Sequence, residues 1–294
     1  MKILLTGADG QLGREVVRQS RNSGIHVDAT DLPDTDIGRA DHVRRAVAEY
    51  QPELVINAAA YTAVDKAELE TEIAFQVNAG GPRHLAEACG SSGIPMVHIS
   101  TDYVFNGTRQ TPYGENDPLT PIGVYGVSKA QGETFVREIL DRHIIVRTSW
   151  LYGVYGHNFV KTMLRLGAQQ EEIRVVADQR GCPTSAADLA AALLSMIHQI
   201  GTGGVSEWGT YHYCGKGETT WFHFAEAVFE RARSHTSLAV TRVVPISTTA
   251  FGAPAPRPAF SVLSCERIRQ RFGIAQRPWI DSLDDTITRI YTDQ

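Results

Sequence analysis

Short blocks of consecutive apolar residues alternate along this chain with stretches in which apolar positions recur every three or four residues. The first block, Ile3-Leu4-Leu5 within residues 2–6, ends in glycine and predicts a buried strand. Gly7-Ala-Asp-Gly10-Gln-Leu-Gly13 reads as a turn. Residues 14–23 place Val16 and Val17 among polar neighbours, a helical face, with Gly24 as the expected C-cap. Residues 26–30 form a second strand that stops at Asp31. A helix over 40–50, Pro52 and an apolar strand over 54–57 follow. Residues 72–90 read as helix with a break at Gly80-Gly81-Pro82. A strand over 96–100, a helix over 125–140 and a strand over 143–148 complete the alternation. Strand and helix by turns predict an α/β fold, a doubly wound parallel sheet with helices on both faces.

Beyond residue 150 the alternation loosens. Residues 159–167 and 186–200 still read as helices, but six glycines fall between 201 and 217 and predict loops. Residues 253–258, Ala-Pro-Ala-Pro-Arg-Pro, predict irregular or polyproline II backbone. The expected division is a nucleotide-binding domain over 1–150, to which later segments return, and a smaller C-terminal substrate-binding lobe drawn mainly from 151–294.

Composition narrows the function. A net charge of −5 provides no basic face for nucleic acid. With 43% hydrophobic and 21% charged residues, the chain is too apolar to be disordered in bulk. The four cysteines, 89, 182, 214 and 265, are scattered without a C-x-x-C pair, so isolated reduced thiols are expected. The opening apolar run is too short for a signal segment or a membrane span, which predicts a soluble, cytoplasmic protein. Only five of the 28 basic residues are lysines, Lys129 among them.

Gly7-x-x-Gly10-x-x-Gly13 sits between a strand and a helix, the setting of a Rossmann-type nucleotide site. Glycines there allow a tight turn and let backbone N–H groups approach a pyrophosphate. Asp31, at the end of the second strand, suits the two ribose hydroxyls of an adenosine, although Arg14 and Arg39 leave NADH and NADPH both open. Tyr125-Gly-Val-Ser-Lys129 places a phenol and an ammonium four apart on one helix face, where the charge is expected to lower the phenol's pKa. Thr101 ends a strand on the same side and can hydrogen-bond a substrate carbonyl. Asn57-Ala-Ala-Ala60 ends another strand with small residues, leaving room for a dinucleotide. Other chemistries lack their residues. Ala130 stands where a nucleophile elbow needs its second glycine, there is no phosphate-binding G-x-x-x-x-G-K-[ST] loop, and the ten histidines show no metal-ligand spacing.

The glycine turn, Thr101 and Tyr125-x-x-x-Lys129 together resemble the extended short-chain dehydrogenase/reductase superfamily. Longer strings resemble its dTDP-4-dehydrorhamnose reductase family: Asn57–Glu68, Ser100–Phe105, Val124–Lys129, Arg147–Tyr152, Asp178–Thr184, Thr219-Thr-Trp221, Arg257-Pro258 and Ser261-x-Leu263. The resemblance implies that Tyr125 is a general acid, that Lys129 tunes it and binds the cofactor ribose, and that Thr101 orients the carbonyl. It implies that Asp102 contacts the sugar and that Trp150 forms a stacking wall. Gly10, Gln11, Leu12, Asp31, Asp36, Ile37, Ala60, Tyr61 and Thr62 would contact the dinucleotide. Arg257 is a candidate for the substrate diphosphate, with a structural ion pair as the plain alternative.

The implied reaction is NAD(P)H-dependent reduction at C4 of dTDP-4-dehydro-6-deoxy-L-mannose to dTDP-L-rhamnose. Another dTDP-deoxysugar reductase, such as a dihydrostreptose-forming enzyme, would share these motifs. A dehydratase is disfavoured because Tyr103 stands where an Asp-Glu pair would be completed. A non-catalytic regulatory subunit is disfavoured because Tyr125 and Lys129 are both present. Some members form a magnesium-bridged dimer through a residue like Glu15. Here Ala186-Ala187 occupy the second carboxylate's place and Asp188 lies one position off, so no Mg²⁺ ligand is expected. Glu15 is expected to be an ordinary exposed helix residue, and a homodimer stays open.

Overall fold

The structure is a computed structural model and describes residues 1–21, 23–203 and 207–292. The first strands are β1 (Lys2–Thr6), β2 (His26–Thr30), β3 (Leu54–Asn57), β4 (Met96–Thr101) and β5 (His143–Thr148). Short pieces follow: β6 (Leu151–Tyr152), β7 (Glu172–Val176), β8 (Arg180–Gly181), β9 (Thr184–Ser185), β10 (Gly209–His212), β11 (Thr219–Thr220) and β12 (Arg242–Ile246). Among the described residues, six of these form one sheet in the order β10-β5-β4-β3-β1-β2, every neighbouring pair parallel.

The central strands are buried on both faces, which explains why they read as unbroken apolar runs rather than alternating ones, while the edge strand β2 is partly exposed. All residues of β3 and β5 are buried. The two-residue period sends neighbours to opposite sides. Ile3, Leu5, Ile56 and Val146 pack with Leu12 and Val16 of α1 (Gln11–Ser20) and Leu189 and Leu193 of α8 (Ala186–Gly201). Leu4, Val55, Met96 and Ile145 pack on the other side. There they meet Val43 of α2 (Ala40–Tyr50), Leu85 of α5 (Gly81–Ser92) and Val136 of α6 (Val124–Ile139). A third core joins Val160 of α7 (Phe159–Gly167), Phe224 and Val228 of α9 (Trp221–Ala232), and Leu283 and Ile287 of α12 (Trp279–Thr292). The remaining helices are short: α3 (Val64–Ala67), α4 (Thr71–Phe75), α10 (Thr248–Phe251) and α11 (Glu266–Phe272).

Three local expectations change. The first helix begins at Gln11, because Gly10 takes an extended N-cap conformation and Gly13 lies inside the helix. It ends at Ser20, so Gly24 is not its cap. No break occurs at Gly80-Gly81-Pro82. A π-helical turn (Gln76–Gly80) leads directly into α5, and this local widening of the helix takes up Pro82 at the second position of α5. The glycine-rich segment also supplies β10, the sheet's outer strand, from four residues too short and glycine-led to show a strand pattern. Within it, residues 204–206 lie outside the described residues.

Candidate active site

The chain moves from β1 outward to β2 and then returns to the other side of β1 as β3. The crevice at this reversal, above the C-terminal strand ends, is where an open parallel sheet binds ligands. The glycine turn fills it for steric reasons. Gly7 has φ +76°, and a Cβ there would lie 2.4 Å from the Ala59 backbone nitrogen. A Cβ on Gly13 would lie 2.2 Å from the Gly7 carbonyl oxygen. Gly10 has no side chain to cap α1, so the helix's first N–H groups open onto a cavity of about 520 Å³. Gln11, Leu12, Ala60 and Thr62 line the same cavity. This cradle fits the pyrophosphate of a dinucleotide.

Asp31 stands at a neighbouring cleft of about 650 Å³ with Arg14, Arg18, Arg21, Leu32 and Tyr155. Its carboxylate already accepts the Asp9 and Leu32 N–H groups, both at 2.8 Å, and so ties the glycine turn to the end of β2. Other expected dinucleotide contacts are placed elsewhere. Asp36 and Ile37 line neither cavity: Asp36 accepts the Gly38 N–H at 2.9 Å, and Ile37 is buried against Gly81. Tyr61 donates its hydroxyl to Glu70 and its N–H to Asn78, while Ala60 and Thr62 beside it face the cavity.

Tyr125 and Lys129, one turn apart on α6, line the main cavity with Thr101 and Asp102. The ammonium does not lower the phenol's pKa as the spacing suggested. Burial pushes Tyr125 up to about 12, with only the Thr101 hydroxyl opposing. Lys129 instead donates to the Ile99 carbonyl at 2.7 Å and lies 3.5 Å from His98 Nε2. Burial brings Lys129 down to about 8, opposed by the Glu133 charge. The phenol is thus a proton donor throughout the neutral range. Tyr103 packs its ring edge-on against Tyr125, with centroids 5.4 Å apart.

Asp102 is buried. Its Oδ1 accepts the Thr101 hydroxyl at 3.0 Å, and burial raises its carboxyl to about 6. The Ser261 hydroxyl opposes this rise together with Thr101, and the Thr148 hydroxyl is buried at the cavity without a hydrogen-bond partner among the described residues. Thr148 is a site residue that sequence reasoning missed. It lies within the Arg147–Tyr152 string, and the register of β4 and β5 pairs it with Thr101.

Trp150 adopts φ +48° and stacks on Trp221, with centroids 3.6 Å apart and planes within 8°. Both line the same cavity as the glycine turn. A Cβ on Gly181 would come 2.4 Å from the Trp150 ring. Sequence reasoning also missed Trp221, although Thr219-Thr-Trp221 is one of the segments that carry the family resemblance. Arg257 does not line the cavity. It pairs with Asp65 at 2.8 Å and donates to the Ala255 carbonyl, reaching the site only through Tyr103.

Glu15 is not an exposed helix residue: it is 1% exposed. Arg18 and Arg289 each donate to its carboxylate, at 2.8 Å and 2.7 Å, and this compensates the buried charge. Asp188 is engaged by Ser282. A carboxylate already held by two guanidiniums does not fit a divalent cation. The cysteines are free and buried, but three are not isolated. Cys214 Sγ lies 3.6 Å from Cys265 Sγ and contacts Cys182.

The parallel sheet, the glycine cradle at its reversal point and the Tyr125–Lys129 pair define an oxidoreductase of the extended short-chain dehydrogenase/reductase class. Residues 1–292 match the family model described as RmlD substrate binding domain, and the chain belongs to that family. It is 42% identical to a dTDP-4-dehydrorhamnose reductase of Aggregatibacter actinomycetemcomitans over 95% of each chain. The structure of a Bacillus anthracis dTDP-4-dehydrorhamnose reductase in complex with NADP is 42% identical and superposes with a TM-score of 0.91. That match covers 98% of this chain and 99% of the other. A Streptomyces antibioticus protein is 40% identical over 99% of this chain and 96% of its own length. It is named a probable dTDP-4,6-dihydroxy-2-methyloxan-3-one 4-ketoreductase.

Proposed function

We propose that this chain reduces the C4 ketone of dTDP-4-dehydro-6-deoxy-L-mannose to give dTDP-L-rhamnose. The observation that carries the reading is the half-buried Tyr125 phenol beside the Thr101 hydroxyl, facing a cavity shared with the glycine cradle. The relatives named dTDP-4-dehydrorhamnose reductase support the substrate. A reduced nicotinamide cofactor, when bound, supplies the hydride. The N-terminus of α1 would hold its pyrophosphate and Lys129 its ribose.

Thr101 orients the ketone oxygen, and Tyr125 protonates that oxygen as the C4 carbon is reduced. Asp102 holds a sugar hydroxyl. The Trp150–Trp221 wall excludes water and presents an aromatic face to the sugar. In this reading residues 1–150, with α8 and β10 returning to them, hold the dinucleotide, and 151–294 mainly hold the sugar nucleotide. No described helix is long and apolar enough to cross a membrane. We assign the reaction to the cytoplasm, where reduced nicotinamide cofactors are held.

The Streptomyces antibioticus relative favours a second reading, reduction of the 4-ketone in a different dTDP-deoxysugar. One experiment separates the two. NADH and NADPH oxidation is followed with each dTDP-4-keto sugar, and the product is identified by mass and NMR. dTDP-L-rhamnose as the preferred product supports the first reading. Preferred turnover of another dTDP-4-keto sugar supports the second, and no oxidation with any of them overturns both.

A further inference from the structure

Behind Lys129 a chain of buried polar groups runs across the sheet. It starts at Asn57, which is fully buried at the end of β3. The Ala59 backbone N–H can only donate, and it points at Asn57 Oδ1 from 3.1 Å. The Thr6 hydroxyl donates to the same oxygen at 2.9 Å. The amide orientation is therefore fixed, and Nδ2 is the atom that faces His98 Nδ1 at 3.1 Å.

A ring nitrogen that accepts a hydrogen bond carries no proton. Neutral His98 thus bears its proton on Nε2, the atom 3.5 Å from Lys129 Nζ. His98 is fully buried, which disfavours its cation, and the positive charges of Lys129 and Arg137 act in the same direction. Its pKa lies well below the ordinary value. An N–H dipole therefore points at the lysine nitrogen. Against the ammonium this is a donor facing a donor. Against the neutral amine it is a hydrogen bond, because the lone pair can accept it. The Ile99 carbonyl takes one Lys129 hydrogen in either state. Burial acts in the same direction, and Glu133, next along α6, is the charge that opposes both.

We propose that His98, locked by Asn57 as the Nε2–H tautomer, is a positioning residue that favours the neutral amine of Lys129 and so weakens that side chain's charged grip on the cofactor ribose at alkaline pH. The link to the cofactor rests on the reductase reading above. The tautomer and its effect on the lysine do not.

The test is made on the full chain by NMR, without turnover. In the wild type, the ¹⁵N shifts of His98 are expected to show a pyridine-like Nδ1 and a protonated Nε2, unchanged from about pH 6 to about pH 9. A proton on Nδ1, or a ring that titrates in that range, overturns the proposal. Asn57→Asp keeps the shape but offers only acceptors, so the His98 proton is expected to move to Nδ1 and leave a lone pair towards Lys129. The Lys129 pKa, read from its ¹³Cε shift, should then rise by about one unit or more, a tenfold change in the amine-to-ammonium ratio. Added charge alone would raise the lysine without moving the histidine proton, so an unmoved proton overturns the proposal, as does a falling lysine pKa. If Asn57→Asp does not fold, the wild-type shifts still decide. In an active enzyme the loss of NADPH affinity at alkaline pH should move by the same amount. Failure of the proposed substrate would leave the NMR result standing.

Discussion

Arg147 grips Glu133 with two parallel hydrogen bonds, Nε to Oε1 at 2.9 Å and Nη2 to Oε2 at 2.7 Å, and both side chains are buried. The pair ties β5 to α6, the helix that carries Tyr125 and Lys129. Ser100 and Arg137 donate to the remaining lone pairs at 2.5 Å and 2.9 Å. Glu133→Gln would leave Arg147 as a buried charge without its partner, and a loss of about 3–5 kcal/mol is expected in urea unfolding. Burial alone would raise the Glu133 carboxyl, but Arg147 more than offsets it and the pKa is lowered. The stabilisation is therefore present above the carboxyl's unfolded pKa and is lost as pH falls through its folded value. The gap between wild type and variant should shrink in acid. An equal gap at every pH would contradict this.

Tyr125→Phe removes the proton donor but little packing volume. Turnover should fall by roughly 10²–10⁴-fold while the cofactor Kd stays within about twofold. Steady-state rates and a fluorescence titration with NADPH check the two halves. Full turnover would remove Tyr125 from the chemistry.

Trp221→Ala strips the stacking partner from Trp150, whose φ of +48° then has less to hold it. The sugar nucleotide should bind about tenfold more weakly, seen as a raised KM, with NADPH affinity unchanged. A fall in NADPH affinity of the same size would place the pair on the cofactor side instead.

Asp102 behaves in the opposite sense to Glu133. Burial raises its folded pKa to about 6 from an ordinary 3.8. The native state therefore binds the proton more tightly than the unfolded chain, and its stability declines as pH rises from about 4 to about 6. The decline from this group is on the order of 3 kcal/mol. Asp102→Asn should lack that decline, so it gains on the wild type between pH 4 and pH 7 in thermal unfolding, while sugar affinity drops. Parallel stability–pH curves for the two proteins would refute the assignment.

Sequence reading captured whatever local pattern specifies. The bounds of β1, β2, α2, β3, β5 and α7 match, with Gly7 closing β1, Asp31 closing β2 and Pro52 separating α2 from β3. The glycine cradle and Tyr125-x-x-x-Lys129 were legible because steric need and helix geometry impose fixed short spacings. What escaped depends on residues distant in the chain. Arg257 meets Asp65 across 192 positions, and Cys214 meets Cys265 across 51. Trp221 becomes a wall only when α9 brings it onto Trp150. Glu15 looked exposed because its helix is polar around it, while the arginine that buries it comes from α12.

That last contact has a consequence for how the molecule is made. Glu15 lies in the first helix, yet one guanidinium that compensates its charge arrives 274 residues later. The sheet likewise lacks its outer strand until Gly209–His212 has been synthesised. A chain emerging from the ribosome folds its early segments first where it can. Here the nucleotide-binding half must wait, its buried carboxylate short of a partner, until nearly the whole polypeptide has been translated.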